Sequence, residues 1–158
     1  MERANEIDRA VNAGLMDYND FIDEIGFMTG LPSTELRLRM NGSEPNEMLY
    51  EYIRDELKPT YKIGMLSNSA DNWLDEMFEP WQVALFDEVV LSYKVGVAKP
   101  SPQIYEAVMN GLDVTAEECI FIDDSERYVE AARDLGMKAI NHIDTPDTIA
   151  NIRELLNA

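Results

Sequence analysis

The chain has 158 residues, a net charge of −18 and a hydrophobic fraction of 46%. That length supports one real core with at most a small appendage, and that apolar content excludes wholesale disorder. The acidic balance argues against nucleic acid and anionic membranes, and no apolar run approaches the ~20 residues of a membrane span.

Residues 1 to 58 read as helix throughout. Ile7, Ala10 and Val11 form one apolar stripe that ends at Gly14. Asp17 and Asp20 read as an N-cap and a first-turn acid before Phe21, Ile22, Ile25 and Met28. Gly30-Leu-Pro-Ser33 breaks that helix, and Ser33 is placed to cap the next, with Leu36 and Met40. Asn41 to Pro45 is a turn with Pro45 at a helix start, and Met48, Leu49, Tyr52 and Ile53 make the next stripe. The polar N-terminus shows no signal-peptide pattern. The single cysteine, Cys119, is expected to be a small buried residue in a reducing compartment, so the chain is expected in the cytoplasm.

From Tyr61 the texture changes. Lys62 to Leu66 is a short apolar strand ending in Ser67-Asn68-Ser69, followed by a helix with Trp73, Leu74, Met77 and Phe78 on one face. Glu88 to Leu91 is the next strand, Tyr93 to Ala98 a loop, and Ile104, Tyr105, Val108 and Met109 mark a helix ending near Gly111. Thr115 can cap a turn before the strand Cys119 to Ile122. Ser125 can cap a helix carrying Val129, Ala132 and Leu135, which Gly136 closes. A last strand, Lys138 to Ile143, precedes a last helix from about Pro146 to Leu156. Strands alternating with helices predict a doubly wound, parallel, Rossmann-like α/β core over residues 59–158, with a helical segment over residues 1–58.

Polar residues gather where three strands end, which is where open α/β sheets bind ligands. Ser67 and Asn68 offer a hydroxyl and free N–H groups to a phosphate oxygen, although a plain helix cap explains them more simply. Lys99 precedes a proline at a helix start. There it opposes the helix dipole unless an anion balances it; a solvated surface lysine is an equal reading. Asp123 and Asp124 repel one another unless a cation or shared proton intervenes, and Mg²⁺ takes such oxygen ligands. The bland alternative is a helix cap beside a surface acid. His142, the nine methionines, Trp73 and Trp81 read as structural, and Asp17, Asp20, Asp23 and Glu24 as a solvated helix face.

Three stretches, taken in order, resemble the second, third and fourth motifs of the haloacid dehalogenase superfamily. They are Ile63-Gly-Met-Leu-Ser-Asn-Ser69, Val97-Ala-Lys-Pro-Ser-Pro-Gln-Ile-Tyr105, and Ile120-Phe-Ile-Asp-Asp-Ser125 continuing to Ala131-Ala-Arg-Asp-Leu-Gly136. The resemblance implies a Mg²⁺-dependent phosphatase-type scaffold for phosphate monoesters of small metabolites. It makes residues 1–58 a helical cap. Ser67, Asn68 and Lys99 would then hold the phosphoryl group, with Ser67 and Lys99 in the catalytic set and Asp123 and Asp124 at the metal. Two departures stand out. Tyr128 occupies a position where relatives often carry Asn. The first motif, an Asp-x-Asp that supplies the nucleophile and the acid/base from a mid-sheet strand, occurs nowhere in the chain.

The chain is therefore expected to begin inside the cap, to lack the first core strand, to bind Mg²⁺ weakly and to be inactive alone. A homodimer or a strand-complementing partner would cover the resulting strand edges. The alternatives are a non-catalytic phosphate- or Mg²⁺-binding or protein-interaction module, and a weak phosphatase using water on the metal.

Overall fold

A computed structural model describes the chain apart from residues 1, 13, 14, 17, 34, 37–45, 70, 71, 73, 75–77 and 158. Expectations on Gly14, Asp17, Met40, Asn41 to Pro45, Trp73 and Met77 lie outside the described residues. Helix α1 (Glu2–Asn12) packs on α2 (Tyr18–Thr29). Their 3.6-residue spacing turns Ile7, Val11, Phe21 and Ile22 inward, and Leu36 joins them in one buried cluster. Fully burying such a side chain is worth about 1.5–3 kcal/mol.

Helix α3 (Glu47–Tyr52) starts at Asn46, whose side-chain oxygen accepts from Leu49 N–H at 3.2 Å. The same asparagine donates to Thr145 Oγ1 at 2.6 Å. A π-helical turn (Ile53–Leu57) continues α3. Leu49, Tyr52 and Leu57 pack with Ile140 and Ile152, so this helical stretch lies on the α/β unit.

Among the described residues four short strands follow: β1 (Gly64–Ser67), β2 (Glu88–Leu91), β3 (Ile120–Asp123) and β4 (Lys138–Asn141). They are parallel, as alternation with helices requires. They form two pairs: β1 with β2, Ser67 opposite Leu91, and β3 with β4, Asp123 opposite Asn141. Among the described residues no ladder joins β1 to β3. Among the described residues the helices between them include α4 (Pro80–Val83), α5 (Ser92–Val95), α6 (Pro102–Leu112) and α7 (Glu126–Asp134), and α8 (Thr145–Asn157) follows β4. One apolar cluster spans both pairs: Leu66 and Val90 from the first, Phe121 and Ala139 from the second, packed with Ile104 and Tyr105 of α6.

Several boundaries differ from the sequence reading. Tyr93 to Ala98 is not all loop, because α5 occupies its first part and ends at Gly96, whose φ of +73° suits glycine. Helix α6 runs past Gly111 to Leu112, and Asp113 takes the left-handed closing position at φ 53°. Cys119 lies one residue before β3 and is half-buried, its Sγ donating to Thr115 O at 3.2 Å. Ser125 precedes α7 without a side-chain cap bond; its N–H instead donates to Asp123 Oδ1 at 2.9 Å. Gly136, at φ +94°, ends the turn after α7 as its lack of a Cβ allows. Among the described residues no helix is long and apolar enough to cross a membrane.

Candidate functional site

The site is built from loops at the carboxyl ends of β1 and β3 and from the segment before α6. Ser67 is the last residue of β1, and its hydroxyl makes only a long 3.5 Å contact with the Asn68 carbonyl. Asn68 turns toward the α6 entry and grips it at two points. Its Oδ1 accepts from Lys99 N–H at 2.7 Å, and its Nδ2 donates to Lys99 O at 3.1 Å. The amide thus mimics a strand neighbour, satisfying both polar groups of a residue outside any ladder. Ser92, fully buried, supports the turn from behind: its hydroxyl accepts from Ser69 N–H at 2.9 Å and donates to Ser69 O at 3.1 Å.

Held in this way, Lys99 sends its ammonium across to the other strand pair. Nζ lies 2.6 Å from Asp123 Oδ2, and each side chain is 9% exposed. The ammonium also sits 5.0 Å from the centre of the Tyr128 ring and 5.8 Å from that of Phe121. Burying two charges costs each its hydration, which their attraction roughly offsets; removing one partner is the expensive change. Tyr128 is itself fixed, since Tyr105 Oη donates to its carbonyl at 3.0 Å and Asn68 Nδ2 donates to its phenol oxygen at 3.3 Å. Burial, then the nearby Asp123 and Tyr128, push the Tyr105 phenol up to about 12.

Asp123 and Asp124 take different surroundings. Asp123 ends β3, and its two oxygens serve Lys99 and Ser125 N–H. Asp124, one residue on, is exposed. Both have the hard oxygen chemistry Mg²⁺ prefers, but that ion needs a near-octahedral set. Among the described residues no group of three or more His, Cys, Asp or Glu side chains could hold an ion. Two carboxylates, one already committed to a lysine, do not close a metal site by themselves.

Lys99 is therefore in direct contact with both Asn68 and Asp123, Ser67 adjoins them through Asn68, and Asp124 stands outside the buried pair. The family resemblance marks Tyr128 as a departure that touches the fine structure of the metal site; Phe121, Tyr105 and Ser92 read from the sequence as core residues, which they also are, and carry no site role there. His142 lies on the neighbouring loop, where its N–H donates to Asp123 O at 2.8 Å and its ring Nδ1 is 2.8 Å from Thr148 Oγ1.

Ser67 and Asp123 close parallel strands, at the end of the sheet where open α/β folds bind ligands. The model of the haloacid dehalogenase-like hydrolase family matches residues 23–142, and the chain belongs to that family. It is similar to sesquiterpene phosphatase astK of Aspergillus oryzae, with 28% identity over 150 residues, covering 90% of this chain and 76% of that protein. Over 55 residues it is 44% identical to a phosphatase of Mycobacterium tuberculosis, which covers 35% of this chain and 25% of that one. Bifunctional epoxide hydrolase 2 of Sus scrofa matches over 94 residues at 32% identity, and the chain spans only 17% of it.

Among solved structures, a predicted hydrolase of this family from Porphyromonas gingivalis superposes with a TM-score of 0.76 at 26% identity, covering 94% of this chain and 78% of that one. A family enzyme from Bacteroides thetaiotaomicron, crystallised with magnesium and inorganic phosphate, superposes with a TM-score of 0.67 at 27% identity, covering 83% and 72%.

Proposed function

We propose that this chain carries the phosphate-holding part of a phosphatase-type site for phosphate monoesters, and that its 158 residues alone do not turn such esters over. The contact between Lys99 and Asp123 carries the reading. It keeps a cation at the strand ends of a chain whose charge of −18 would otherwise repel a phosphorylated metabolite. Lys99 supplies the positive charge and Ser67 a hydroxyl donor, while Asn68 keeps both segments in place. Asp124 and, after exchange with Lys99, Asp123 offer Mg²⁺ two oxygens. That set supports at best millimolar-range affinity, roughly, because few protein ligands leave the ion its waters.

No Asp-x-Asp occurs in the chain. Phosphoryl transfer by a carboxylate needs that group in line with phosphorus, about 3 Å away, together with an acid for the leaving oxygen. Ser67 and Lys99 hold and neutralise charge, and neither supplies that route. An extended segment ending in Asp-x-Asp, from another polypeptide, would add the missing groups beside β1 and β3. The competing reading, a non-catalytic binding module on this scaffold, differs in one respect: such a segment would not restore activity.

The test is an aryl phosphate assay of the chain with Mg²⁺ beside Asp124→Ala and Lys99→Ala, with and without a peptide carrying an apolar strand that ends in Asp-x-Asp. We expect no hydrolysis above the metal-only blank without the peptide, and Lys99-dependent hydrolysis with it. Activity of the parent alone that both substitutions abolish would overturn the expected inactivity. A silent assay with the peptide, despite measurable phosphate binding, would favour the binding module.

A further inference from the structure

We infer that Tyr128 is a positioning residue for Lys99, holding the ammonium in an aromatic cradle so that an anion can share it with Asp123. The inference rests on the anion-holding role proposed above for Lys99. Tyr128 touches both restraints on that lysine. Its ring lies 5.0 Å from Nζ, and its phenol oxygen accepts at 3.3 Å from Asn68, the residue that grips the Lys99 backbone at 2.7 and 3.1 Å. The Phe121 ring, 5.8 Å from Nζ, adds a second aromatic neighbour. Tyr128 does not wander, because Tyr105 Oη holds its carbonyl at 3.0 Å and Val129, the next residue of α7, is fully buried.

The chemistry favours a ring at this point. An ammonium has three N–H donors on a flexible four-carbon stem. Asp123 takes one of them at 2.6 Å. A second carboxylate would neutralise the charge an incoming anion needs. An aromatic face instead stabilises the ammonium through its quadrupole and occupies no lone-pair acceptor, so the remaining donors stay available. Confining the stem before the anion arrives also lowers the ordering cost of binding. Asn68 to Tyr128 and Lys99 to Asp123 further tie the segment around β1 to the segment around β3, which no ladder joins. Tyr128 therefore sets how the lysine spans that division.

The experiment uses the full chain with ¹³C-labelled lysine, the Lys99 signals being assigned with Lys99→Arg, and inorganic phosphate as the probe. Ring currents should move the Lys99 ε-methylene protons upfield in the parent. Tyr128→Leu should return them toward the position of a free lysine and weaken phosphate roughly three- to tenfold, the range expected for a partly desolvated cation–π contact. Tyr128→Phe, which keeps the ring, should preserve the shift and stay within about twofold of the parent. Circular dichroism checks folding, and Tyr128→Met, whose unbranched and flexible side chain fills irregular gaps, replaces the Leu variant if that one unfolds. A folded Leu or Met variant with the parent's ε-methylene shift and phosphate affinity overturns the inference. If the parent shows no phosphate response at all, the anion-holding reading of the site falls; the ε-methylene shift alone then decides whether Tyr128 positions Lys99.

Discussion

The Lys99–Asp123 pair decides much at the scale of single residues. Its members are 9% exposed each, so a lone Asp123 carboxylate would keep only the Ser125 N–H as a partner. Lys99→Met should therefore destabilise the fold by about 3 kcal/mol, the usual cost of leaving one buried charge unpaired. Urea unfolding of the variant should show a lower midpoint with an unchanged slope. Lys99→Met with Asp123→Asn should recover part of that loss, since no buried charge remains. A single variant as stable as the parent would mean that water reaches Asp123 and that the pair is not effectively buried. Asn68 matters for a related reason: its amide stands in for a strand neighbour at the Lys99 backbone, a use that a Ser-Asn-Ser run does not announce.

At the scale of elements, β1 lies close on α6. A Cβ on Gly64 would stand 2.9 Å from both Leu112 Cδ1 and Val108 Cγ2. Gly64→Ala should push α6 away from β1 and cost roughly 1–3 kcal/mol, read from thermal or urea unfolding, in spite of alanine's better fit to regular backbone. A neutral or stabilising result would show that Val108 and Leu112 repack freely.

The β1–β2 pair also has an ionic clasp at its entrance. Asp87 accepts from Lys58 Nζ at 2.7 Å and from Ile63 N–H at 2.8 Å, while its own N–H donates to Ile63 O at 2.7 Å. The Lys58 bond first, then the Ile63 N–H, hold its carboxyl below the ordinary carboxylate range. A carboxylate depressed in the folded state adds stability above its unfolded pKa, about 4, and loses that contribution as pH falls through its folded pKa. Asp87→Asn should thus be less stable than the parent at pH 7, with the gap closing on acidification below about pH 4. Equal stability at both pH values would show that the clasp is fully screened, as exposed pairs often are.

For the whole molecule the divided sheet is the main consequence. Among the described residues β1 has only β2 as a ladder partner and β3 only β4. Each inner strand keeps backbone groups that need partners elsewhere, and edges of this kind invite another strand. We expect self-association of the 158-residue chain, seen as a dimer or larger species by light scattering. The charge of −18 opposes it, so the larger species should gain population as salt rises from 0.01 to about 0.15 M and the Debye length shrinks. Hydrogen exchange at the outward amides of β1 and β3 should slow as association proceeds. A monomer at every salt and protein concentration, with those amides already protected, would show that the chain satisfies both edges internally.

Local signals in the sequence determined, to within a few residues, where strands stop and helices start, and hence that Ser67 and Asp123 would lie at strand ends and Lys99 just before a helix. Apolar runs, prolines and glycines act over a few residues, so Ile120 to Asp123 followed by a helix is readable without the rest of the chain. Local periodicity could not determine which carboxylate the lysine meets. Lys99 and Asp123 are 24 positions apart, and their contact depends on the spacing of two strand pairs and the packing of α6 against both. Still larger separations in sequence, 31 positions from Asn68 to Lys99 and 60 from Asn68 to Tyr128, concealed the Asn68 grip and the Tyr128 cradle. It also concealed the division of the sheet, because the alternation of strands and helices predicts parallel neighbours without saying which strands share a ladder. Those decisions belong to side chains that meet only after the chain has packed, where shape and unsatisfied polar groups select among arrangements that the local pattern leaves equal.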